Sequence, residues 1–192
     1  MPDQSPASYE ALRALAGPGG VLVQFFTEPA APPHGWTLVR DGQLDQMICR
    51  TTTSFDLQVL PSDAELRRLN PADVPAMVEL TKLTEPGPFR HRTIELGAFY
   101  GIFHSRRLMA MAGQRIHLPR YVEVSAVCTH PDARGRGYAR ILISAVADEI
   151  RQRGKTPFLH TFADNHFAIR VYQSLGFTSQ RSLHLAVLKN EA

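Results

Sequence analysis

Residues 121–154 constrain the fold more than any other part of the chain, because their pattern predicts a strand, a glycine- and arginine-rich turn and a long helix. Tyr121–Thr129 contains a nearly unbroken apolar run, which is typical of a strand buried on both faces. After the turn, apolar residues recur at the spacing of a helix that packs on a sheet, at Ala139, Leu142, Ile143, Val146 and Ile150. Gly154 stands where a left-handed glycine would end that helix. We therefore predict a central strand followed by a helix that packs against its sheet.

The turn between these two elements has the composition of an anion-binding site. It consists of Arg134, Gly135, Arg136, Gly137, Tyr138 and Ala139. The two glycines permit a tight turn and leave no side chain between the backbone amides and a ligand. Those amides open the positive end of a helix, where two arginines are unfavourable unless an anion lies nearby. We predict that residues 134–139, hereafter the phosphate cradle, bind a pyrophosphate through amides and guanidinium groups.

Other phosphate-binding turns fit these residues less well. A dinucleotide-binding fingerprint requires a third small residue where this chain has Arg140. The sequence of a P-loop is absent. A plain connection between strand and helix would not call for two arginines at the helix N-terminus.

Two motifs resemble those of the GNAT superfamily of N-acetyltransferases. The pattern R-x-x-G-x-A over Arg134–Ala139 resembles the acyl-CoA pyrophosphate motif of that family, [QR]-x-x-G-x-[GA]. A second match lies downstream and comprises Asp164, Asn165, Ala168, Tyr172, Gly176 and Phe177. The resemblance covers about the last two thirds of the chain. It implies a GNAT-like fold of the α/β class. In that fold a mixed sheet of the α+β type is flanked by helices, and in this chain an N-terminal extension precedes it.

The order of predicted elements agrees with that fold. From residue 63 we predict strand 65–69, helix 70–83, a short helix at 93–96, strands 98–103, 108–118 and 121–129, the long helix, strand 157–162, helix 165–175 and a strand pair within 177–188. We assign residues 61–192 to the GNAT domain. Residues 1–60 form an extension with a helix at 8–15, a strand at 21–26 and a hairpin that turns at Asp41-Gly42.

The resemblance also implies the activity and the cofactor. It implies direct attack of an amine on acetyl-CoA through a tetrahedral intermediate, with no metal. Strands 123–129 and 157–162 would separate, so that backbone groups of Val127, Cys128 and Thr129 pair with the pantetheine arm. An N–H near Ala126 or Val127 would polarise the thioester carbonyl. Asn165 would contact the arm or cap the following helix.

Proton transfer requires a base and an acid. An alkyl ammonium group titrates near ~10.4, so only about one in a thousand is neutral at physiological pH. Glu123 is our candidate base, because it is the only carboxylate in the strand that leads to the thioester; alternatively it is a surface carboxylate or a structural ion-pair partner. Glu95 is a second candidate.

Tyr172 matches the family tyrosine that protonates the departing thiolate, or else it is a core residue. We interpret His160 as a hydrogen-bonded core histidine.

Composition narrows the class of partner. A net charge of +3 with scattered Lys and Arg residues does not favour nucleic acid. Two cysteines, and no Cys/His spacing of zinc type, favour neither a disulfide framework nor a metal. No signal-type or membrane-spanning apolar run occurs, so we expect a cytoplasmic protein that does not enter a membrane.

The acceptor is an amine of a small molecule or a protein, bound around residues 84–95, and the sequence does not specify it further. A noncatalytic acyl-CoA-binding regulatory module, nucleotide binding and O-acetyl transfer are the alternatives. The sequence leaves open whether the chain forms a homodimer.

Overall fold

The structure is a computed structural model that describes residues 4–29, 31–51 and 60–191. The chain divides into two compact units. The larger unit consists of Met47–His160 and Phe167–Thr178, and the smaller unit consists of Met1–Gln46, Thr161–His166 and Ser179–Ala192.

The described residues form four α-helices and eight strands. In chain order they are α1 (Pro6–Ala16), β1 (Val21–Phe26), β2 (Trp36–Cys49), β3 (Ala64–Arg68), α2 (Val74–Thr84), β4 (Phe99–His104), β5 (Arg107–His117), β6 (Tyr121–Thr129), α3 (Tyr138–Gln152), β7 (Thr156–Phe162), α4 (His166–Ser174) and β8 (Phe177–Asn190). Short 3-10 helices cover Pro71–Asp73, His91–Leu96 and Pro131–Ala133. The elements β2, β7, α4 and β8 each cross a boundary between the units.

The larger unit contains a mixed sheet with the strand order β7-β6-β5-β4-β3. Neighbouring strands are antiparallel except for β6 and β7, which are parallel. The apolar stripe of α3, including Ile143, Val146 and Ile150, packs with Val122 and Val124 of β6 in one core cluster. The helix α2 packs on the opposite face of the sheet, in a second cluster that includes Val74, Met77, Leu80, Phe99 and Met111. The mixed sheet with helices on both faces confirms the predicted fold class.

The smaller unit has its own core. Its strand order is β1-β8-β2, and β1 pairs with β8 in antiparallel register from Val21↔Lys189 to Phe26↔His184. The helix α1 begins after Ser5, whose side chain accepts a hydrogen bond from the backbone N–H of Ser8. The core of this unit contains Tyr9, Phe26, Trp36, Ala186 and Leu188.

Two sequence predictions are wrong in the same way. Asp41-Gly42 does not turn the chain, because β2 is a single continuous strand and Gly42 lacks the positive φ that a type I′ turn requires. A Cβ atom at Gly42 would lie 2.9 Å from the ring of Phe162, so glycine here permits close packing of an aromatic ring. Likewise, β8 is one strand and not a pair, and its polar stretch 178–182 is the exposed part of that strand.

The remaining elements from residue 63 onward agree with the prediction. The bounds of β6 are those predicted, and Gly154 follows α3 with a φ of 69°. The short helix predicted at 93–96 is present as the 3-10 helix His91–Leu96. The predicted division of domains at residue 60 stays a prediction, since the two compact units are discontinuous in sequence.

Candidate active site

A β-bulge interrupts β6 near its end, ahead of the 3-10 turn that leads to the phosphate cradle. Met111 of β5 pairs with Cys128 and Gly113 pairs with Ser125, so two residues of β6 stand opposite one residue of β5. Ala126 lies inside the bulge with a φ of 52°, in the left-handed region that alanine rarely adopts. The bulge therefore releases the backbone of 126–127 from the regular ladder at one defined position.

The parallel pairing of β6 with β7 ends at the same level. It runs from Tyr121↔Thr156 to Glu123↔Phe158, although β6 continues to Thr129. In the described part of the larger unit, the later residues of β6 pair only with β5, on their other edge. In this part of the larger unit, the edge of β6 that faces away from β5 carries no ladder beyond Glu123. Val127, Cys128 and Thr129 lie farther along β6, where an extended arm could pair with the backbone.

The phosphate cradle follows β6 after one 3-10 turn. The side chain of His130 caps that turn by accepting the Asp132 N–H at 3.2 Å. Gly135 and Gly137 then adopt φ values of 76° and 74°, and Gly137 is the N-cap of α3. Within the described residues, no side chain caps this helix end, so its first amides keep their donor capacity. A Cβ atom at Gly135 would meet nothing within 4 Å, and Arg134 and Arg136 are exposed. An open glycine turn, uncapped amides and two exposed guanidinium groups fit a pyrophosphate.

Tyr172 lies in the core cluster that also contains Tyr138, with Val127 and Ala139 packed against it. Its ring stands edge-on to Phe177 with 6.1 Å between the ring centres. Burial raises the pKa of Tyr172 to about 12. The phenol therefore keeps its proton at physiological pH and is a weaker acid than an exposed tyrosine. The role of Tyr172 as proton donor stays a prediction, beside the alternative of a core tyrosine.

Glu123 is buried in a three-residue cluster with Arg115 and His160 on the neighbouring strands. Arg115 donates from Nε to Oε2 at 2.7 Å and from Nη2 to Oε1 at 2.6 Å. His160 Nδ1 lies 2.7 Å from Oε1. Burial alone raises the pKa of Glu123, but the hydrogen bonds from His160 and Arg115 outweigh it and hold the pKa below its ordinary value of 4.5. A carboxylate held ionised in this way is a weak base, so the geometry favours the ion-pair alternative, and the base role stays a prediction.

A shallow groove with a cavity volume of about 10 Å³, room for about one water molecule, lies on the same face of the sheet as this cluster. Val122 and Val124 face α3, so the alternating residues Glu123 and Ser125 face the other side. The groove, hereafter the acceptor groove, is lined by residues that include Pro86, Phe89, Thr93, Arg115, Ser125 and Ala126. These positions join the segment where we expected the acceptor, residues 84–95, to the bulge of β6.

The other predicted site residues have plainer surroundings. Burial raises the pKa of the Cys128 thiol to about 11, which leaves it a poor nucleophile. Asn165 is exposed in the smaller unit, directly before α4, and its backbone N–H donates to the Phe162 carbonyl. Glu95 is exposed on the 3-10 helix and forms an ion pair with Arg92 at 2.8 Å.

Sequence reasoning missed Arg115. The register of the β5–β6 hairpin is the feature that identifies Arg115. Gln114 pairs with Val124, and this pairing places Arg115 beside Glu123. Opposite charges at one level of a hairpin attract across the strands.

The described residues contain no group of three or more His, Cys, Asp or Glu side chains arranged to hold a metal ion. Nor does any described helix have the length and apolar character needed to cross a bilayer.

Comparisons with known proteins place this chain in a family. A family model described as FR47-like protein matches residues 99–184. A search of curated protein sequences found no match. Among solved structures, a GNAT-family protein from Novosphingobium aromaticivorans is 39% identical over 98% of this chain and 83% of its own, with a TM-score of 0.86.

More distant structures share the fold alone. A GCN5-related N-acetyltransferase-like protein from Streptococcus suis is 18% identical over 97% of this chain and 69% of its own, with a TM-score of 0.58. The ribosomal-protein-S18-alanine N-acetyltransferase from Escherichia coli is 20% identical over 67% of this chain and 95% of its own, with a TM-score of 0.54.

The fold and the comparisons define an acyltransferase of the acetyltransferase class. The chain belongs to the GNAT family.

Proposed function

We propose that this protein is an acetyl-CoA-dependent N-acetyltransferase that acts on an amine of a small molecule or a protein. One observation carries the proposal: β6 contains the bulge, its ladder with β7 ends at Glu123, and the phosphate cradle follows its end after a single 3-10 turn. A ligand with a pyrophosphate and a long extended arm would fit these features at once. Acetyl-CoA would supply the acyl thioester beside the bulge.

Each predicted residue has a defined task in the proposal. Arg134, Arg136 and the amides of 135–139 bind the pyrophosphate, and the backbone of Val127, Cys128 and Thr129 pairs with the arm. The freed amides of the bulge polarise the acyl carbonyl. Asn165 contacts the arm or caps α4.

The acceptor amine enters through the acceptor groove. It passes its proton to the cluster formed by Arg115, Glu123 and His160, because Arg115 lines that groove and donates two hydrogen bonds to Glu123. The departing thiolate takes a proton from the Tyr172 hydroxyl, which is protonated at physiological pH.

A noncatalytic acyl-CoA-binding module is the second candidate. It is favoured by the ion pairs that occupy Glu123 and by the raised pKa of Tyr172, since both features weaken these groups as base and acid. Such a module would bind acyl-CoA and release no free thiol.

Thiol release separates the two candidates. The protein would be incubated with acetyl-CoA and a panel of amines that spans polyamines, amino acids and peptides with free N-termini. For an enzyme we expect amine-dependent thiol release that falls by about 10²–10⁴-fold in Tyr172→Phe and Glu123→Gln, with acetyl-CoA affinity retained. Glu79→Gln, an exposed carboxylate of α2, is the matched control and keeps full activity. Tight acetyl-CoA binding without acetylation of any amine would favour the module.

A further inference from the structure

Two further arginines lie on the two helices that follow the phosphate cradle in the chain. Arg140 belongs to the first turn of α3 and Arg170 belongs to α4, and we call them the helix arginines. The cradle and the helix arginines are all part of the larger unit. Among the described residues, neither helix arginine forms an ion pair with a carboxylate. Their positive charges are therefore available to an anionic ligand.

A hydrogen bond between α3 and α4 brings the helix arginines close together. Nη1 of Arg140 donates to the Ser174 hydroxyl at 2.6 Å, and that hydroxyl donates in turn to the Val171 carbonyl at 2.7 Å. Arg170 and Ser174 stand at positions i and i+4 of α4, so their side chains lie on one face with about 5–6 Å between their Cβ atoms. Arg170 is therefore one helical turn from the point where Arg140 meets α4.

The position of Arg140 in α3 is unfavourable without an anion. Gly137 is the N-cap of α3, so Arg140 is the third residue of the helix, where the positive end of the helix dipole disfavours a cation. No acidic residue in this first turn offsets the charge. The contact with Ser174 occupies one donor of the guanidinium, and within the described residues its other donors remain for a ligand.

CoA carries a further phosphate besides its pyrophosphate, on the 3′ carbon of the ribose. A phosphomonoester of this kind has a charge of about −1.5 to −2 near pH 7. The two arginines of the cradle match the charge of the pyrophosphate, and the helix arginines match that of the 3′-phosphate. Dephospho-CoA lacks this phosphate alone and keeps the pyrophosphate and the arm.

We propose that Arg140 and Arg170 bind the 3′-phosphate of the cofactor, and that Ser174 is the residue that positions Arg140 for it. This inference rests on the proposed function and adds to it a selectivity for CoA thioesters over those of dephospho-CoA. The guanidinium groups reach the phosphate from two helices and form charge-assisted hydrogen bonds with its oxygens. The selectivity is a property of the cofactor site and does not depend on the acceptor.

Calorimetric titration with CoA and with dephospho-CoA measures the contribution of this phosphate. We expect the wild type to bind CoA about tenfold more tightly than dephospho-CoA, since salt partly screens charged hydrogen bonds at an exposed site. The Arg140→Gln, Arg170→Gln double variant should bind the two ligands about equally and keep the wild-type affinity for dephospho-CoA. The Arg68→Gln, Arg120→Gln double variant removes the same charge from exposed positions on β3 and on the β5–β6 turn, and it should keep the selectivity.

A variant that keeps every charge tests the role of Ser174. Ser174→Ala removes the hydroxyl that holds Arg140 and leaves the net charge unchanged. We expect it to lower the preference for CoA without changing the affinity for dephospho-CoA. A preference equal to that of the wild type would refute this positioning role.

The titrations also separate the inference from the proposed function. Equal affinity of the wild type for CoA and dephospho-CoA would overturn the inference and leave the proposed function standing. A preference for CoA that persists in the Arg140→Gln, Arg170→Gln variant would overturn the inference as well. Absence of binding of either ligand to the wild type would refute the proposed function and, with it, the inference.

Discussion

At the scale of single residues, the site contains a carboxylate that we expect to stabilise the fold. Glu123 is 1% exposed, and Arg115 and His160 both contact it. Removal of one member of a buried pair leaves the other charge without compensation. We expect Glu123→Ala to lower the free energy of unfolding by about 3 kcal/mol, the lower end of the usual range, because the Arg115 side chain keeps 28% of its surface exposed.

Urea unfolding of the two proteins measures this loss. Glu79→Ala serves as the control, since Glu79 is exposed on α2, and it should change stability by less than ~0.5 kcal/mol. A loss below ~1 kcal/mol in Glu123→Ala would mean that the ion pairs contribute little to the fold.

The same carboxylate makes stability depend on pH. The pKa of Glu123 is lowered in the folded chain below its ordinary value of 4.5, so between the two values the unfolded chain binds more protons than the folded one. The contribution of Glu123 is therefore complete above about 4.5 and is lost as the pH falls through the lowered pKa.

We expect the difference in unfolding free energy between wild type and Glu123→Gln to be constant from pH 7 to 5. Below pH ~4.5 it should shrink steadily. Unfolding curves collected from pH 7 to 3 test this, and a difference that is unchanged in acid would show that the folded-state pKa is not lowered.

Sequence reasoning identified Glu123 but not its partners. A lone carboxylate in an apolar strand is visible in the sequence, whereas its partners lie on two other strands, one of them 37 positions away. The pairing of β6 with β7 decides that contact, and it depends on tertiary structure.

At the scale of elements, the turn of the phosphate cradle combines a left-handed backbone with an open surface. Gly135 and Gly154 have nearly the same backbone, with φ values of 76° and 69°, and neither would place a Cβ atom within 4 Å of another atom. An alanine at either position costs roughly 1–2 kcal/mol, because L-residues disfavour the left-handed region. The two glycines differ in that only Gly135 belongs to the predicted ligand site.

This pair provides a matched test. We expect Gly135→Ala and Gly154→Ala to lose similar stability in urea unfolding. Only Gly135→Ala should weaken CoA binding, by about tenfold or ~1.4 kcal/mol in calorimetric titration. Equal CoA affinity in both variants would place the pyrophosphate away from Gly135.

Element boundaries were predictable where composition changes sharply. The strand β6 is followed by proline and glycines, and its predicted bounds agree with the structure. The errors at Asp41-Gly42 and at 178–182 have one cause. Polar or glycine-containing stretches resemble turns locally, while the pairing of long strands keeps them extended.

At the scale of the whole molecule, two short motifs sufficed to predict the family and the mixed sheet. The acceptor groove was not predictable in the same way. It joins Phe89, Arg115 and Ala126, which are far apart in sequence, and only their meeting defines its shape. The predicted segment 84–95 forms one wall of the groove, but its residues do not indicate the chemical class of the acceptor.

Similarity extends beyond the predicted family domain. The match to the Novosphingobium protein spans 98% of this chain, whereas 67% of the chain suffices to cover 95% of the Escherichia coli enzyme. The additional part of the chain is therefore shared with a close relative and is not required by every protein of this fold.

The central claim is that the phosphate cradle binds the pyrophosphate of acetyl-CoA, and calorimetric titration tests it most directly. The protein would be titrated with acetyl-CoA and CoA, beside the Arg134→Ala, Arg136→Ala double variant. The Lys82→Ala, Lys189→Ala double variant removes the same charge from exposed positions outside the cradle. We expect micromolar binding, equivalent to about 8 kcal/mol, in the wild type and the control, and its loss in the cradle variant. Absence of binding in the wild type, or undiminished binding in the cradle variant, would contradict the account.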